Sequence, residues 1–390
     1  MASIVNIVKY SRILYFLYYY IGSFAVNTLK KMLKEDPKLI VFNSFGGDNF
    51  DDSPQSIYMA MINDNRFKDF KFVWAFKNPD KFSIPKGEKV KMDTFCFYKY
   101  VLKARVWITN TTMTRALSFS GINTFSLNTW HGTAIKKIGN DARIGSAFVS
   151  KGSSDMSVFL GQGEYDRMVF SKAFNIAKER IKIIGLPRND ELVCGDKDDK
   201  ILNLRKKFSI LEGKKVILYA PTFREYDLEG ADCVMKLPID LMKWERELGK
   251  QYVLIIRAHH AVVKSTNIMD NDFIKNVSSY PHLNDLMIMS DILVSDYSSI
   301  FFDYSISGKP MLCFSYDYDR YEKERGMYFD IRKELNNECL DTEDKVLSAI
   351  INLDFEKRKK VTERFRDKYV QKYGTATNDS LDLIYSSIHC

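Results

Sequence analysis

"KKVILYAPTF", residues 214–223, is a β-rich apolar run that ends in proline and threonine. It follows "RNDELVCGDKDDKILNLRKKFSI", residues 188–210, a polar and charge-rich stretch with no such run. Upstream of that break, short apolar runs recur between longer amphipathic segments: "KLIVFNSF" from Lys38, "FKFVWAF" from Phe70, "RVWITN" from Arg105, "TFSLNTW" from Thr124, "SAFVSKG" from Ser146 and "IKIIGLP" from Ile181. Downstream the alternation restarts with 214–223 and continues through "YVLIIRAHH" (252–260), "ILVSDYSS" (292–299) and "KPMLCFSYD" (309–317). Continuous apolar strands alternating with helical stretches predict parallel sheets covered on both faces. Two such series around one polar break predict two Rossmann-like domains facing each other across a cleft.

The expected boundaries are a segment 1–37, a first domain over 38–200, a second over 201–375 and a C-terminal helix over 376–390. The helical tail from Asp341 either closes the second domain or crosses back onto the first. No internal repeat, G-x-G-x-x-G, Walker A loop or kinase signature occurs, which argues against the familiar dinucleotide and NTP sites.

At 390 residues, 45% hydrophobic and 28% charged, the chain is an ordinary folded protein large enough for two cores. Its 22 tyrosines and 27 phenylalanines suit sugar-like ligands, a membrane interface or simply a large core. The net charge of +8 is dispersed, and no nucleic-acid module is present, so a nucleic-acid binder gains no support. Six cysteines form no C-x-x-C pair and no Cys/His cluster, which argues against structural zinc and a secreted disulfide framework and points to a reducing, cytoplasmic compartment.

Residues 9–34, "KYSRILYFLYYYIGSFAVNTLKKMLK", are apolar and tyrosine-rich from Ile13 to Val26 and flanked by lysines. The stretch is shorter than the roughly 20 apolar residues of a spanning helix, and no small-residue cleavage site follows. Two readings stand: an amphipathic helix lying on an anionic membrane surface, or a helix capping the first domain's core.

Ligands of open parallel sheets bind beyond the carboxyl ends of the strands. Those positions carry Asn43, Ser44, Gly46, Gly47, Asn110 to Thr112, Asn128, His131, Gly132 and Thr133 in the first half. In the second half they carry Pro221, Thr222, Arg224, Arg257, His259, His260, Ser295, Asp296, Ser298, Ser299 and Asp303. Ser298 and Ser299 open a helix, either as simple caps or as an anion site for a pyrophosphate. Asp303, one turn on, reaches a ribose hydroxyl or faces solvent. Arg257 and His259 suit two adjacent phosphates. Asp317 and Asp319 superficially match a D-x-D metal motif, but nothing completes an oxygen cage, so a solvated turn is expected and no metal or cofactor.

"NTWHGT" followed by lysine, with "APTFR", "R-A-H" and "SDYSSIFFDY", resembles the CDP-glycerol glycerophosphotransferases, the primases and polymerases of wall teichoic acid, over most of the chain after residue 38. The resemblance implies a GT-B fold whose C-terminal domain takes the CDP-activated donor and whose N-terminal domain takes an undecaprenyl-linked saccharide or polyol-phosphate acceptor. It further implies peripheral attachment to the cytoplasmic face of the membrane and attack of an acceptor hydroxyl on the β-phosphate with release of CMP. His131 then matches the candidate base. His259 and Arg257 match donor-phosphate residues, Ser298 and Ser299 the helix start, and Thr222, Arg224, Asp296 and Asp303 the donor side. Asn128, Gly132, Thr133 and Lys136 fall on the acceptor side, with Trp130 packing beneath the histidine. The chain departs from many relatives where Ala134 and Ala261 replace prolines, which leaves His259 and His260 interchangeable in principle. Its length favours a primase or a short polymerase. CDP-ribitol in place of CDP-glycerol, or a GT-B glycosyltransferase using a nucleotide sugar, are the alternatives.

Overall fold

The computed structural model describes residues 12–119, 123–142, 157–222, 224, 237–258, 268–337 and 340–389. The chain divides into two units, with boundaries at 190/191 and 370/371 and with Gly132–Lys137 grouped with the second.

The first unit is built on a seven-stranded parallel sheet of order β3-β2-β1-β4-β5-β6-β7, comprising β1 Asp36–Asn43, β2 Lys71–Phe76, β3 Glu88–Lys91, β4 Ala104–Thr109, β5 Phe125–Asn128, β6 Val158–Gly161 and β7 Ile181–Ile183. Strand β1 is central: Phe42 lies opposite Trp74 of β2 and Ile108 of β4. Its last five residues are all buried, as a strand covered on both faces requires. One face carries Phe42, Tyr58, Trp74 and Phe76 in a single aromatic cluster, so much of the aromatic content serves the core.

The second unit holds a five-stranded parallel sheet of order β10-β9-β8-β11-β12, with β8 Lys215–Ala220, β9 Tyr252–Ile256, β10 Ile274–Asn276, β11 Ile292–Ser295 and β12 Met311–Cys313. In both sheets the first strand in sequence is flanked by the second and the fourth. The strand order therefore reverses between β1 and β4 and between β8 and β11, the two places where parallel sheets open a crevice.

Three strands were not expected from the sequence. β3 buries only Val90 among charged neighbours, β10 is three residues long, and β6 follows the expected run "SAFVSKG", which lies outside the described residues. The boundaries also differ from those expected at 200/201 and 375/376. The helix Asp198–Lys207 packs on the helix Leu283–Met289, and Lys200 pairs with Asp285 at 2.6 Å, so residues from 191 belong with the second unit. The N–H groups of Gln371 and Lys372 bond to the Gln162 carbonyl at 2.8 and 3.0 Å, so the chain returns to the first unit at 371.

The tail divides between the two units. Helices Glu343–Ile351 and Phe355–Tyr369 pack on the second, where Phe365 meets Phe302 and Thr362 donates to the Lys309 carbonyl. Helix Ala376–His389 buries Leu381 and Ile384 in the first core, its opening N–H groups held by the Asp190 carboxylate at 3.1 and 2.7 Å.

Of the segment 1–37 expected to stand apart, the described residues from 12 pack on the first unit. Its helix, Arg12–Met32, turns Tyr15, Ser23 and Val26 inward. Asn27 donates to the Ser118 carbonyl at 2.9 Å and Tyr18 to that of Arg115 at 2.8 Å. The opposite face exposes Ile13, Phe16, Leu17, Tyr20, Ile21 and Phe24, a stripe at helical spacing. The helix is thus apolar on two faces rather than one, and the two readings of the segment do not compete for the same surface. No helix among the described residues is long and apolar enough to cross a membrane.

Candidate active site

At the first strand-order reversal the chain ends of β1, β4 and β5 are tied together by side chains. Asn110, just past β4, accepts from the Phe45 N–H through Oδ1 at 2.8 Å and donates to Ser44 Oγ at 3.3 Å; Thr111 Oγ1 accepts from the Gly46 N–H at 3.2 Å. Asn128, at the end of β5, donates to the Thr111 carbonyl at 2.5 Å and accepts from the Trp130 N–H at 2.7 Å. Asn128 is fully buried, so its role here is to shape the loop that carries the histidine.

His131 Nδ1 lies 3.0 Å from the Asn110 carbonyl oxygen. A carbonyl only accepts, so Nδ1 carries the hydrogen, and in the neutral ring Nε2 holds the lone pair. The ring packs on Trp130, with centroids 4.0 Å apart, and Trp130 in turn leans on Phe159 and Phe174. Phe45 stands on another side at 5.7 Å. Burial pulls the imidazole below its ordinary value of 6.5, opposed by the Asn110 carbonyl and the Asp52 charge and reinforced by Arg188. The neutral form that can accept a proton is therefore the form present at pH 7.

The loop is strained where it meets the ring. Trp130 has φ 51° and Phe45 φ 45°, both left-handed without being glycine, while Gly132 takes φ 139°. Such costs are retained where surrounding structure enforces them, and they gather at functional sites. Beyond Gly132, Thr133 is buried, and Lys136 forms an isolated antiparallel bridge with Met327 inside the second unit.

At the second reversal, Ser295 Oγ donates to the Ala220 carbonyl at 2.6 Å, and the Thr222 N–H donates to both Asp296 oxygens at 2.9 and 3.1 Å. Arg224 lies between two carboxylates. Nε and Nη2 donate to Asp317 at 2.7 and 2.9 Å, and Nη1 meets Asp296 Oδ2 at 2.8 Å and the Thr222 carbonyl at 2.7 Å. The guanidinium also lies about 5 Å from the rings of Tyr297, Tyr316 and Tyr321. Its side chain is 1% exposed. Burial acts to lower its proton affinity, but the Asp296 charge and the Asp317 hydrogen bond more than offset this and raise it. Arg224 and Asp296 were expected to meet donor phosphates; here they hold each other and frame the loop. Asp317 was expected in a solvated turn and is instead the far end of this clamp.

Thr222 Oγ1, by contrast, is buried with no hydrogen-bond partner among the described residues. Ser298 Oγ accepts from the Ile300 N–H at 3.3 Å, and Ser298 and Ser299 stand half-buried at the start of the short helix Ile300–Ser305. Asp303, within that helix, is buried and not turned to solvent. Arg257 follows β9, its N–H bonded to the Tyr219 carbonyl at 2.9 Å and its guanidinium to that of Tyr280. His259 and His260 lie outside the described residues. Among the described residues no three His, Cys, Asp or Glu side chains gather to hold a metal.

The sequence reading passed over Asp51, Asp52 and Arg188. Arg188 follows "IKIIGLP" and sits at a strand end that the same rule would have flagged. The two aspartates, before Ser53 and Pro54 at a helix start, read as ordinary capping residues.

Two parallel α/β units, each with polar residues gathered at its strand-order reversal, are the architecture of the GT-B fold. A model of the CDP-glycerol:poly(glycerophosphate) glycerophosphotransferases matches residues 25–384, and the chain belongs to that family. It is similar to the teichoic acid poly(glycerol phosphate) polymerase of Staphylococcus epidermidis, 33% identical over 91% of this chain but only 52% of that one. It is also similar to the teichoic acid glycerol-phosphate transferase of Staphylococcus aureus, 30% identical over 85% of this chain and 88% of that one. The chain thus spans about half the length of the first relative and most of the second. Among solved structures, a histidine-to-alanine variant of the wall teichoic acid polymerase TagF superposes with a TM-score of 0.84 at 30% identity, covering 93% of each chain. A histidine-to-asparagine variant of TagF soaked with CDPG gives 0.82.

Proposed function

We propose that the protein transfers glycerol phosphate from CDP-glycerol to a hydroxyl of a lipid-linked saccharide or polyol-phosphate acceptor, with His131 as general base. The acceptor oxygen bonds to the β-phosphorus, its proton passes to His131 Nε2, and the bond to the CMP oxygen breaks with its electron pair leaving on CMP. An alcohol is a poor nucleophile at neutral pH, and a positioned imidazole typically contributes about 10²–10⁴-fold to such a step. The observation that carries this reading is the Asn110 carbonyl on Nδ1, which leaves the Nε2 lone pair for substrate. On the donor side Arg257 and His259 take the phosphates, Ser298 and Ser299 at the start of Ile300–Ser305 offer further contacts, and the buried Thr222 hydroxyl supplies a further donor. Arg224, Asp296 and Asp317 hold that loop in place. Glycerol is favoured over ribitol by the family description and by the relatives above.

The exposed stripe Ile13, Phe16, Leu17, Tyr20 and Phe24, with Lys31 beside it, supports peripheral attachment to an anionic membrane on the cytoplasmic side, where the acceptor lipid lies. The test is incubation of purified protein with labelled CDP-glycerol and a short lipid-linked acceptor, following CMP release and label transfer. Consumption of a nucleotide sugar with no CMP release would overturn the assignment.

A further inference from the structure

Asp51 stands where a helix cap belongs and does not cap. It immediately precedes the helix Asp52–Met61, yet its side chain bonds to none of that helix's N–H groups. The reason is local. An N-cap carboxylate serves the second or third N–H of its helix, and here the Ser53 N–H is taken by Asp52 Oδ1 at 2.5 Å while Pro54 has none. The Asp51 carboxylate turns instead to the end of β1, where Oδ1 accepts from Ser44 Oγ at 2.8 Å and Oδ2 from Asn49 Nδ2 at 3.0 Å. Burial pushes it up to about 6, so above pH 7 it is still the charged form, which only accepts. That constraint propagates. The Ser44 hydroxyl hydrogen is committed to Asp51, so its oxygen accepts from Asn110 Nδ2 at 3.3 Å. With Nδ2 so placed, Asn110 Oδ1 faces the Phe45 N–H and accepts from it at 2.8 Å. Both ends of the Asn110 amide are thus assigned from Asp51. The main-chain carbonyl of this same residue takes the hydrogen of His131 Nδ1 at 3.0 Å. Ser44 and Asn110 are fully buried, so their bonds are made within the protein.

We propose that Asp51 is a positioning residue for His131. Acting through Ser44 and Asn110, it fixes which group donates at each link, and so holds in place the carbonyl that keeps the hydrogen on Nδ1 and the lone pair on Nε2. Without that brace a neutral imidazole exchanges between its two tautomers, and the one with hydrogen on Nε2 has no lone pair there to take the acceptor's proton. The catalytic part of the proposal rests on His131 acting as the base.

The test combines kcat and KM for CDP-glycerol, measured as CMP release, with nitrogen NMR of the full chain labelled at histidine. In such spectra a ring nitrogen bearing hydrogen and one bearing a lone pair resonate far apart. Both measurements are run well above the Asp51 midpoint, with the His131 signals assigned by their loss in His131→Gln. Asp51→Ala is expected to lower kcat by roughly 10- to 100-fold with KM little changed, and to draw the two His131 nitrogen signals together as the tautomers mix. Asp51→Asn is expected to keep most of kcat and the wild-type signals. Its amide oxygen still accepts from Ser44, and the exposed Asn49 can turn its own oxygen to the new Nδ2. Unchanged nitrogen signals in Asp51→Ala, whatever its kcat, overturn the proposal, and so does an Asp51→Asn variant as impaired as Asp51→Ala. If Asp51→Ala does not fold, Ser44→Ala breaks the chain at its next link and is expected to show the same mixed signals; wild-type signals there refute the proposal. Full transfer activity in His131→Gln would sink the assignment of the base while leaving the nitrogen signals to report on the brace, so the two failures are told apart.

Discussion

Replacing Arg224 by methionine removes the cation that bridges Asp296 and Asp317 of the second unit. In the wild type its guanidinium spends Nε and Nη2 on Asp317 and Nη1 on Asp296 and the Thr222 carbonyl, with its side chain 1% exposed. Methionine preserves much of the volume and none of these bonds. Asp317 and Asp296, themselves 16% and 4% exposed, lose the guanidinium that lies between them. Breaking a buried pair by removing one partner costs about 3–5 kcal/mol. The Thr222 carbonyl and three tyrosine rings lose a partner as well, so the expected loss lies in the upper half of that range. Lysine keeps the charge but cannot fork to both aspartates, and is expected to cost less, roughly 1–3 kcal/mol. Urea unfolding followed by fluorescence reads the second unit through Trp244, the one tryptophan in 191–370, buried beside Tyr219. A clamp predicts lost stability with the KM for CDP-glycerol little changed in protein that remains folded. Stability within about 1 kcal/mol of wild type, together with a tenfold or larger rise in KM, would refute the reasoning and return Arg224 to the donor phosphates.

His131→Gln is expected to keep the fold and lose transfer by about 10²–10⁴-fold, measured as CMP release. Because burial holds the folded His131 below 6.5, the unfolded chain binds the proton first as pH falls. Stability therefore drops as pH goes down through the ordinary histidine value and levels off below the folded one. Urea midpoints across that window should show a slope that His131→Gln reduces, and the acid limb of kcat/KM should lie below 6.5. On the N-terminal helix, Phe16→Ser with Phe24→Ser should leave stability within about 0.5 kcal/mol while weakening sedimentation with anionic vesicles. Asn27→Ala, on the inner face, should cost about 1 kcal/mol with vesicle binding retained. Asp190→Ala removes both acceptors at the start of Ala376–His389 and should cost about 1–2 kcal/mol, read as faster proteolysis between 371 and 389.

The two parallel sheets were legible because hydrophobic periodicity is a local property: "KLIVFN", "FVWAF" and "VILYA" are apolar on both faces whatever surrounds them, and only a sheet covered on both sides uses such runs. The strand-end rule likewise found His131, Asn110, Thr222 and Asp296, since a polar residue after an apolar run needs no knowledge of distant chain. Short or charged edges escaped it, as with β3 and β10, because few of their residues are buried. Partner choice was beyond its reach. Arg224 and Asp317 are 93 residues apart and Asp52 and Arg188 136 apart, and in sequence each reads as a free surface or site charge. What the sequence determined alone was where polar groups emerge from the sheets. Which of them face a substrate and which neutralise one another was decided by tertiary structure, because charge pairing depends on distance in space and on burial, and neither is encoded in any local window.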